Sequence, residues 1–398
     1  MDQLSVVIRY IKDEQPVERF LTFIELKTNH TGDELAKQTL QYLEEHCGLD
    51  FSKCRGQSYD NAANLSGHYN GMQQKLLEAN PLAIYIPCVA HSLNLVGRST
   101  VDCCLATVNF FSLVQNLYNF FSGSTIRWRI LKDHLDNESV LKSLSETRWE
   151  AHAKAKSAFS QTYNKIICAL DVISVDDMQK GETRREAANL SNKLQELEYV
   201  FMLVMWEEIL QTFRKVSKVL QDPEVTLETC ANLYKSLVDF LEKLRSDFDS
   251  LDARAKEKLP DVEYKDTRQR RRKKMPNDGS APERCEKRGE IYKETADKFS
   301  FLNKIPDADK IMCPDQTAEY RQHSTNLVNT YPEDLNTELI TEVQQFHSYI
   351  ISKISSRPSD PARTSLHQTH AQLYKIIHDD KIESAFPNVE TALRFSLR

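Results

Sequence analysis

Apolar and polar positions alternate with a period of two over two stretches near the start of the chain. The first stretch carries Leu4, Val6, Ile8 and Tyr10, and the second carries Phe20, Thr22, Ile24 and Leu26. A short polar segment, residues 12–16, separates them. Alternation on both sides of a brief polar break predicts a β-hairpin. Because several intervening residues are also apolar, we expect both faces of the hairpin to be covered.

Helical and strand-like patterns then follow one another up to about residue 121. Thr31 and Glu34 have the spacing of a capping box, which predicts a helix start. The apolar stripe of this helix is Leu35, Leu40, Leu43 and Cys47. Further along, the pattern favours strands at 53–59 and 83–88 and helices at 61–79 and 91–121. This order predicts an α/β part with a mixed sheet covered by helices.

From about Leu141 the pattern is helical almost throughout. Residues 190–220 and 227–248 carry apolar residues at spacings of three and four, and helix-forming sequence returns near 291, at 338–355 and at 365–378. The segment 264–290 interrupts it with a basic run and then a Pro- and Gly-containing stretch. The basic residues of this run are Arg268, Arg270, Arg271, Arg272, Lys273 and Lys274. We expect an all-α part with one basic loop.

Composition narrows the class of protein. The chain has 398 residues, only 10 glycines and a formal net charge of −6, so any nucleic-acid contact must come from local basic patches. The 9 scattered cysteines do not form a disulfide framework, which favours a reducing compartment. We find neither a run of about 18 apolar residues nor a secretory leader. We therefore expect no membrane partner.

Two short motifs carry a resemblance to a known family. The first runs from Cys54 through Asp60 to Gly67, and the second runs from Tyr85 through Cys88 and His91. Together they resemble the catalytic core of hAT-superfamily transposases and of their domesticated zinc finger MYM-type relatives. The resemblance implies an RNase H-like core interrupted by a large all-α insertion.

The resemblance also implies a division of the chain into three parts. Residues 1–146 would be a partial RNase H-like core, and residues 147–384 would be the helical insertion with the basic loop 264–290. Residues 385–398 would begin the return to the core. We expect the core to be truncated at both ends.

Cleavage by this family depends on three acids, of which Asp60 matches the second. The first would precede Met1 and the third would follow residue 398, as would the family's dimerisation tail. Two-metal cleavage needs carboxylates that hold a pair of Mg²⁺ ions about 3.5–4 Å apart. We therefore expect a relic without strand-cleaving activity and without a cofactor. The alternative is an active DDE-type transposase or nuclease that uses two Mg²⁺ ions.

Asp60 and the Cys88–His91 pair each have a structural alternative. Asp60 precedes a predicted helix, where its carboxylate could accept the backbone N–H of Ala62 or Ala63 instead of holding a metal. Cys88 and His91 have the spacing of half a zinc site, but a structural zinc takes four ligands. A strand-to-helix junction is the other interpretation of this pair.

Arg148 and Trp149 open the predicted insertion. The resemblance implies that the tryptophan stacks on an extruded base and that the arginine holds phosphate. The alternative is that Trp149 anchors the insertion on the sheet, while Trp128 and Trp206 are expected in the core.

The basic run of residues 268–274 has three interpretations. It is a solvated loop, a nuclear-import signal or a phosphate contact. We expect a factor in the nucleus, or otherwise in the cytoplasm. Its partners would be DNA, or proteins that bind the helical part.

Overall fold

The structure is a computed structural model. It describes residues 2–26, 30–102, 104–135, 141–143, 149–222, 225–264, 281–303, 305, 314–355 and 369–397. These residues form two compact units, one made of 1–88 with 290–398 and the other of 89–289. The boundaries at 146 and 384 inferred from the resemblance concern the family's organisation and stay a prediction.

The first unit begins with the predicted β-hairpin, which is confirmed. Strands β1 (Gln3–Lys12) and β2 (Gln15–Glu25) pair antiparallel, with a bulge between Val6 and Val7. Asp13 and Glu14 form the two-residue turn, and both have positive φ values of 49° and 62°. Positive φ at both central residues matches the right-handed twist of the flanking strands. The polar break in the sequence is therefore a tight hairpin turn.

The face that carries Leu4 and Val6 is covered, whereas among the described residues the other face is covered only near the turn, where Ile11 packs against a second core of the unit. This differs from the expectation that both faces would be covered along their length. Leu4 packs against a small core formed by Leu35, Ala36, Met72 and Leu76, and Val6 is buried. On the other face Val7, Phe20 and Phe23 are more than half exposed. The apolar residues between the alternating positions therefore do not mark a second buried layer.

The mixed sheet is smaller than the pattern predicts. Strands β3 (Gly56–Gln57) and β4 (Ile84–Tyr85) form a separate two-stranded parallel sheet, and the described residues do not join it to the hairpin. Between these strands lie α2 (Ala63–Ser66) and α3 (Met72–Ala79), while α1 (Gly32–Glu45) precedes β3. The fold is thus mixed but mostly helical, with small sheets.

The single helix predicted over residues 61–79 is broken at a close backbone approach. A Cβ on Gly71 would lie 2.4 Å from the nitrogen of Gly67, so the chain folds back sharply between α2 and α3. Only glycine allows such an approach at this position. The helix predicted over 91–121 is likewise two helices, α4 (Val89–Asp102) and α5 (Leu105–Ser122).

Helices α13 (Pro314–Thr330), α14 (Leu339–Ser355), α15 (His370–Asp379) and α16 (Pro387–Ser396) complete the first unit. Their shared core includes Phe346, Leu373 and Leu393, and Ile11 and Ile84 pack against it. Both small sheets therefore rest on the C-terminal helices of the same unit.

A buried polar network fixes the start of α16. Glu342 and Asn388 are both buried, and Glu342 Oε2 accepts the backbone N–H groups of Asn388 at 2.8 Å and Val389 at 3.1 Å. Its Oε1 accepts the Asn388 side-chain amide at 2.6 Å. A carboxylate that accepts the first N–H groups of a helix satisfies donors that have no partner within the helix.

The second unit is built from helices. After α4 and α5 it contains α6 (Thr125–Leu135), α7 (Trp149–Val175), α8 (Gly181–Leu194), α9 (Leu197–Val219), α10 (Leu227–Ser246) and α11 (Phe248–Lys258). Leu117, Ile166 and Leu203 are among the buried residues of its core. Trp206 is buried against Phe111, and Trp128 packs at its margin, so both tryptophans have the core role expected for them.

Part of the predicted basic loop is helical. Helix α12 (Ala281–Asn303) begins within the segment 264–290 and continues across the boundary between the units. Pro282 is compatible with this helix because proline is tolerated in a first turn, where its missing N–H needs no partner. Within the described residues, no helix combines the length and the apolar character that crossing a bilayer requires.

Candidate functional site

The two short parallel strands place Asp60 at their common end. Beyond β3 and β4 the pairing continues, because Ile86 N donates to Gln57 O at 2.9 Å and Cys88 N donates to Tyr59 O at 3.1 Å. Asp60 therefore follows directly on the last paired residue of its strand. Side chains at the carboxyl end of parallel strands are the usual place for a site in an α/β sheet.

The Asp60 carboxylate forms a local turn. The backbone N–H of Ala62 donates to Asp60 Oδ1 at 2.9 Å, one of the two hydrogen bonds expected from the sequence. Helix α2 begins at Ala63 with Ala62 as its N-cap, so the bond closes an Asx turn one step before the helix. The Asp60 residue is otherwise exposed.

A stacked tyrosine pair lies beside Asp60. The rings of Tyr59 and Tyr85 are 5.0 Å apart and stacked, and the Tyr85 hydroxyl donates to the Asp60 carbonyl at 3.5 Å. The Tyr59 hydroxyl donates to Gln57 Oε1 at 2.6 Å, and burial raises the pKa of this phenol above its ordinary value. Tyr59 is therefore a neutral hydrogen-bond donor that holds the corner together.

Sequence reasoning did not single out this tyrosine pair. Its signal was present, because Gln57 and Tyr59 alternate with exposed neighbours toward the end of the first strand, and Tyr85 occupies the facing strand. Gln57 adds a further tie through its side-chain amide, which donates to Ala83 O at 2.9 Å. The corner around Asp60 is thus built mainly from uncharged side chains.

The described residues contain no group of three or more His, Cys, Asp or Glu side chains arranged to hold a metal ion. The roles of Asp60 as a metal ligand and as a relic catalytic acid stay predictions. Cys88 is a half-buried free thiol at the end of the first unit, and His91 lies in the first turn of α4. This pair spans a strand-to-helix junction, which was one of its two interpretations.

The other predicted site residues fall at or beyond the limits of what the structure describes. Arg148 lies outside the described residues, and so does the basic run Arg268, Arg270, Arg271, Arg272, Lys273 and Lys274. Trp149 is the first residue of α7, and its backbone alone is described. Their predicted contacts with DNA therefore stay predictions.

Substitutions at Asp60 distinguish a role in the turn from a role as a metal ligand. We expect Asp60→Ala to lower the free energy of unfolding by about 1 kcal/mol, because the Ala62 N–H loses its acceptor. Asp60→Asn keeps an oxygen at the same position and should cost only a few tenths of this amount. Urea unfolding of the three proteins measures both values. Equal losses in the two variants would contradict the turn role.

The first part of the chain is similar in sequence to a known protein family. Residues 1–71 match the family model described as the ZMYM1/FAM200, RNase-like domain, a span that includes the hairpin, α1, β3 and Asp60. The human protein named 52 kDa repressor of the inhibitor of the protein kinase is 21% identical over 231 residues, covering 55% of this chain and 30% of that protein. Its mouse counterpart is 21% identical over 232 residues, with the same shares covered.

The chain thus spans about a third of the length of these curated relatives. The matched domain contains the first of the two motifs, so the resemblance stated from those residues is confirmed. Over residues 1–71 the chain is similar to the ZMYM1/FAM200 RNase-like domain, and this similarity supports its resemblance to hAT-derived, ZMYM-like proteins.

Proposed function

We propose that this chain is a domesticated transposase derivative that acts as a nuclear binding factor and does not cut DNA. Its partners are nucleic acid or protein. The proposal includes the finer fold implied by the resemblance, an RNase H-like core that carries a helical insertion. The observation that carries the proposal is the geometry of Asp60.

Asp60 acts as a turn residue at the position of the family's second acid. Its Oδ1 is engaged by the Ala62 N–H, and its neighbours at the corner are the phenols of Tyr59 and Tyr85. Phenols and carboxamides do not supply the negative charge that holds a pair of Mg²⁺ ions, whereas converging carboxylates do. The corner is suited to holding a strand end against a helix.

The names of the relatives point to regulation. Both curated proteins are named as repressors of an inhibitor of a protein kinase. We extend to this chain only the general idea of a regulatory factor that acts by binding. A nuclear location fits such a role.

The proposed DNA contact uses the basic residues outside the core. Arg148 and the run of residues 268–274 would contact phosphates, and Trp149 would stack on a base. Contacts with phosphate release counterions, so the affinity should fall steeply with salt and depend little on sequence. Protein partners would bind the helical part, with affinity that responds much less to salt.

Two assays on the full chain test this proposal. With Mg²⁺ or Mn²⁺ present, we expect supercoiled plasmid to remain unnicked by the wild-type protein. In mobility-shift assays we expect duplex DNA to be bound and then released as salt is raised. The triple variant Arg270→Gln/Arg271→Gln/Arg272→Gln should bind more weakly and show a salt slope smaller by about three.

Nicking by the wild-type protein that disappears in Asp60→Asn would overturn the inactive assignment and favour the two-Mg²⁺ transposase. Asp60→Asn is the matched control because it keeps the turn and removes only the charge. If no DNA is bound at low salt, the nucleic-acid part of the proposal fails. Affinity capture from nuclear extract then tests for a protein partner. Recovery of no specific protein would contradict the protein-binding part of the proposal as well.

A further inference from the structure

The outer face of the β1–β2 hairpin exposes a compact apolar patch. Side chains along a strand alternate between its two faces, and on this hairpin Leu4 and Val6 are directed to the core of the unit. On the opposite face Val7 is 54% exposed, Phe20 is 54% exposed and Phe23 is 59% exposed. The centroids of the two phenylalanine rings are 4.7 Å apart. The patch is therefore contiguous.

The patch remains exposed although the opposite face of the hairpin is packed on the unit. A two-stranded sheet is only marginally stable in water and usually needs packing on its apolar surface. Contact with another protein surface is a common cause of contiguous exposed apolar groups. Polar residues on the outer face would have served solubility better than two aromatic rings. The outer face is thus suited to contact with another surface.

The distribution of residues between the two strands indicates what that surface is. In the register of the hairpin Arg9 lies opposite Glu18, Val7 opposite Phe20, and Ser5 opposite Phe23. Arg9 Nη1 is 3.4 Å from Glu18 Oε1. Strand β1 therefore supplies the cation and the smaller side chains, and β2 supplies the anion and the aromatic rings. Each strand is the complement of the other.

A two-fold axis parallel to the strands, placed above this face, brings β1 of one copy over β2 of the next. Arg9 then faces the partner's Glu18, and Val7 faces the partner's Phe20. The smaller Ser5 leaves room for the ring of the partner's Phe23. The opposite rotation, with the axis across the strands, would set Glu18 over the partner's Glu25 and place like charges together.

We propose that the outer face of this hairpin binds a second copy of the same chain, with the two sheets packed face to face. Such a contact is isologous, because the same patch serves both subunits. Aligned sheets pack about 10 Å apart, which lets the phenylalanine rings interdigitate. A two-stranded face buries less than the roughly 800 Å² per partner of a standard interface. The dimer should therefore form and dissociate with concentration.

A charge-swap experiment on the full chain tests the arrangement. Arg9→Glu places two anions on each face, and Glu18→Arg places two cations there. We expect each variant alone to have a dissociation constant raised about tenfold or more, because the two-fold axis opposes like charges. An equimolar mixture of the two variants should recover the wild-type affinity as a heterodimer. Sedimentation velocity over a wide concentration range measures all three.

Matched controls keep the test specific. Arg19→Glu makes the same charge change on an exposed residue of β2 that alternates to the other face, and it should leave the dissociation constant unchanged. Phe23→Ser removes apolar area from the patch without adding charge and should weaken the dimer about tenfold. Circular dichroism and the thermal unfolding midpoint establish that each variant is folded.

A wild-type chain that stays monomeric at the highest attainable concentration overturns the proposal. It is also overturned by a dimer that persists unchanged in Arg9→Glu and Phe23→Ser, since another surface then forms it. Failure of the mixed charge variants to associate while the wild type does would exclude the two-fold axis parallel to the strands. None of these three results bears on the DNA-binding proposal, which concerns other residues.

Discussion

Replacing Asp334 by alanine should lower the free energy of unfolding by about 2–3 kcal/mol, because it leaves a mostly buried guanidinium without its carboxylate partner. Arg55 Nε donates to Asp334 Oδ2 at 2.8 Å and its Nη2 donates to Oδ1 at 2.9 Å. The Arg55 side chain is only 9% exposed and that of Asp334 is 23% exposed. Chemical denaturation of wild type and variant measures the loss.

Two further proteins make this prediction specific. The double variant Arg55→Met/Asp334→Ala should be more stable than Asp334→Ala alone, because the buried charge leaves with its partner. Asp177→Ala removes an ion pair with Arg184 at the surface, where the Asp177 side chain is 94% exposed. This substitution should lower the free energy of unfolding by less than about 0.5 kcal/mol. A loss for Asp334→Ala no larger than that for Asp177→Ala would show that burial does not strengthen the Arg55 pair.

Lowering the pH from 6.5 to 4 should destabilise the first unit through His370. Burial lowers the pKa of this imidazole from 6.5 to about 4, and a hydrogen bond with the Phe299 backbone offsets only part of the shift. His370 Nε2 has no hydrogen-bond partner and no contact with solvent. His370 is also the first residue of α15, where a positive charge opposes the helix dipole.

Stability falls with falling pH because the folded state favours the neutral imidazole of His370 more strongly than the unfolded state does. The unfolded chain binds a proton at His370 below pH 6.5, whereas the folded chain does so only near pH 4. This contribution to stability is therefore complete above pH 6.5 and is lost as the pH falls toward 4. The loss approaches 3 kcal/mol, at about 1.4 kcal/mol per pH unit.

His370→Gln is the matched variant because it stays neutral at every pH. Urea unfolding at several pH values between 4 and 7 should give a smaller slope for the variant than for the wild type, and the difference is the part due to His370. Parallel slopes would mean that the folded protein accepts a proton at His370 as readily as the unfolded chain does.

Local features of the fold followed from the sequence where neighbouring residues alone decide them. Thr31 accepts the backbone N–H of Glu34 at 3.4 Å at the start of α1, as the capping-box spacing predicts. The hairpin and the start of α14 and α10 also agree with their patterns to within a few residues. Each of these depends on contacts over a few positions of the chain.

In the candidate site, too, the sequence predicted the local contact and missed the contacts between distant segments. The hydrogen bond from Ala62 to Asp60 was expected because it spans two residues. The stack of Tyr59 on Tyr85 was not, since it requires two strands to be aligned in register. The break between α2 and α3 was also missed. It arises where Gly67 and Gly71 approach through space, whereas helical periodicity continues past them.

The sequence by itself determined the resemblance to a known family, the helix-rich character of the chain, the hairpin and the position of Asp60 at a strand end. Tertiary structure decided which hairpin face is covered, how short β3 and β4 are, and which charges are buried. Arg55 meets Asp334 across 279 positions of the chain, and no local pattern connects them. The physical reason is that periodicity reports which residues share a face, whereas burial depends on what distant segments place against that face.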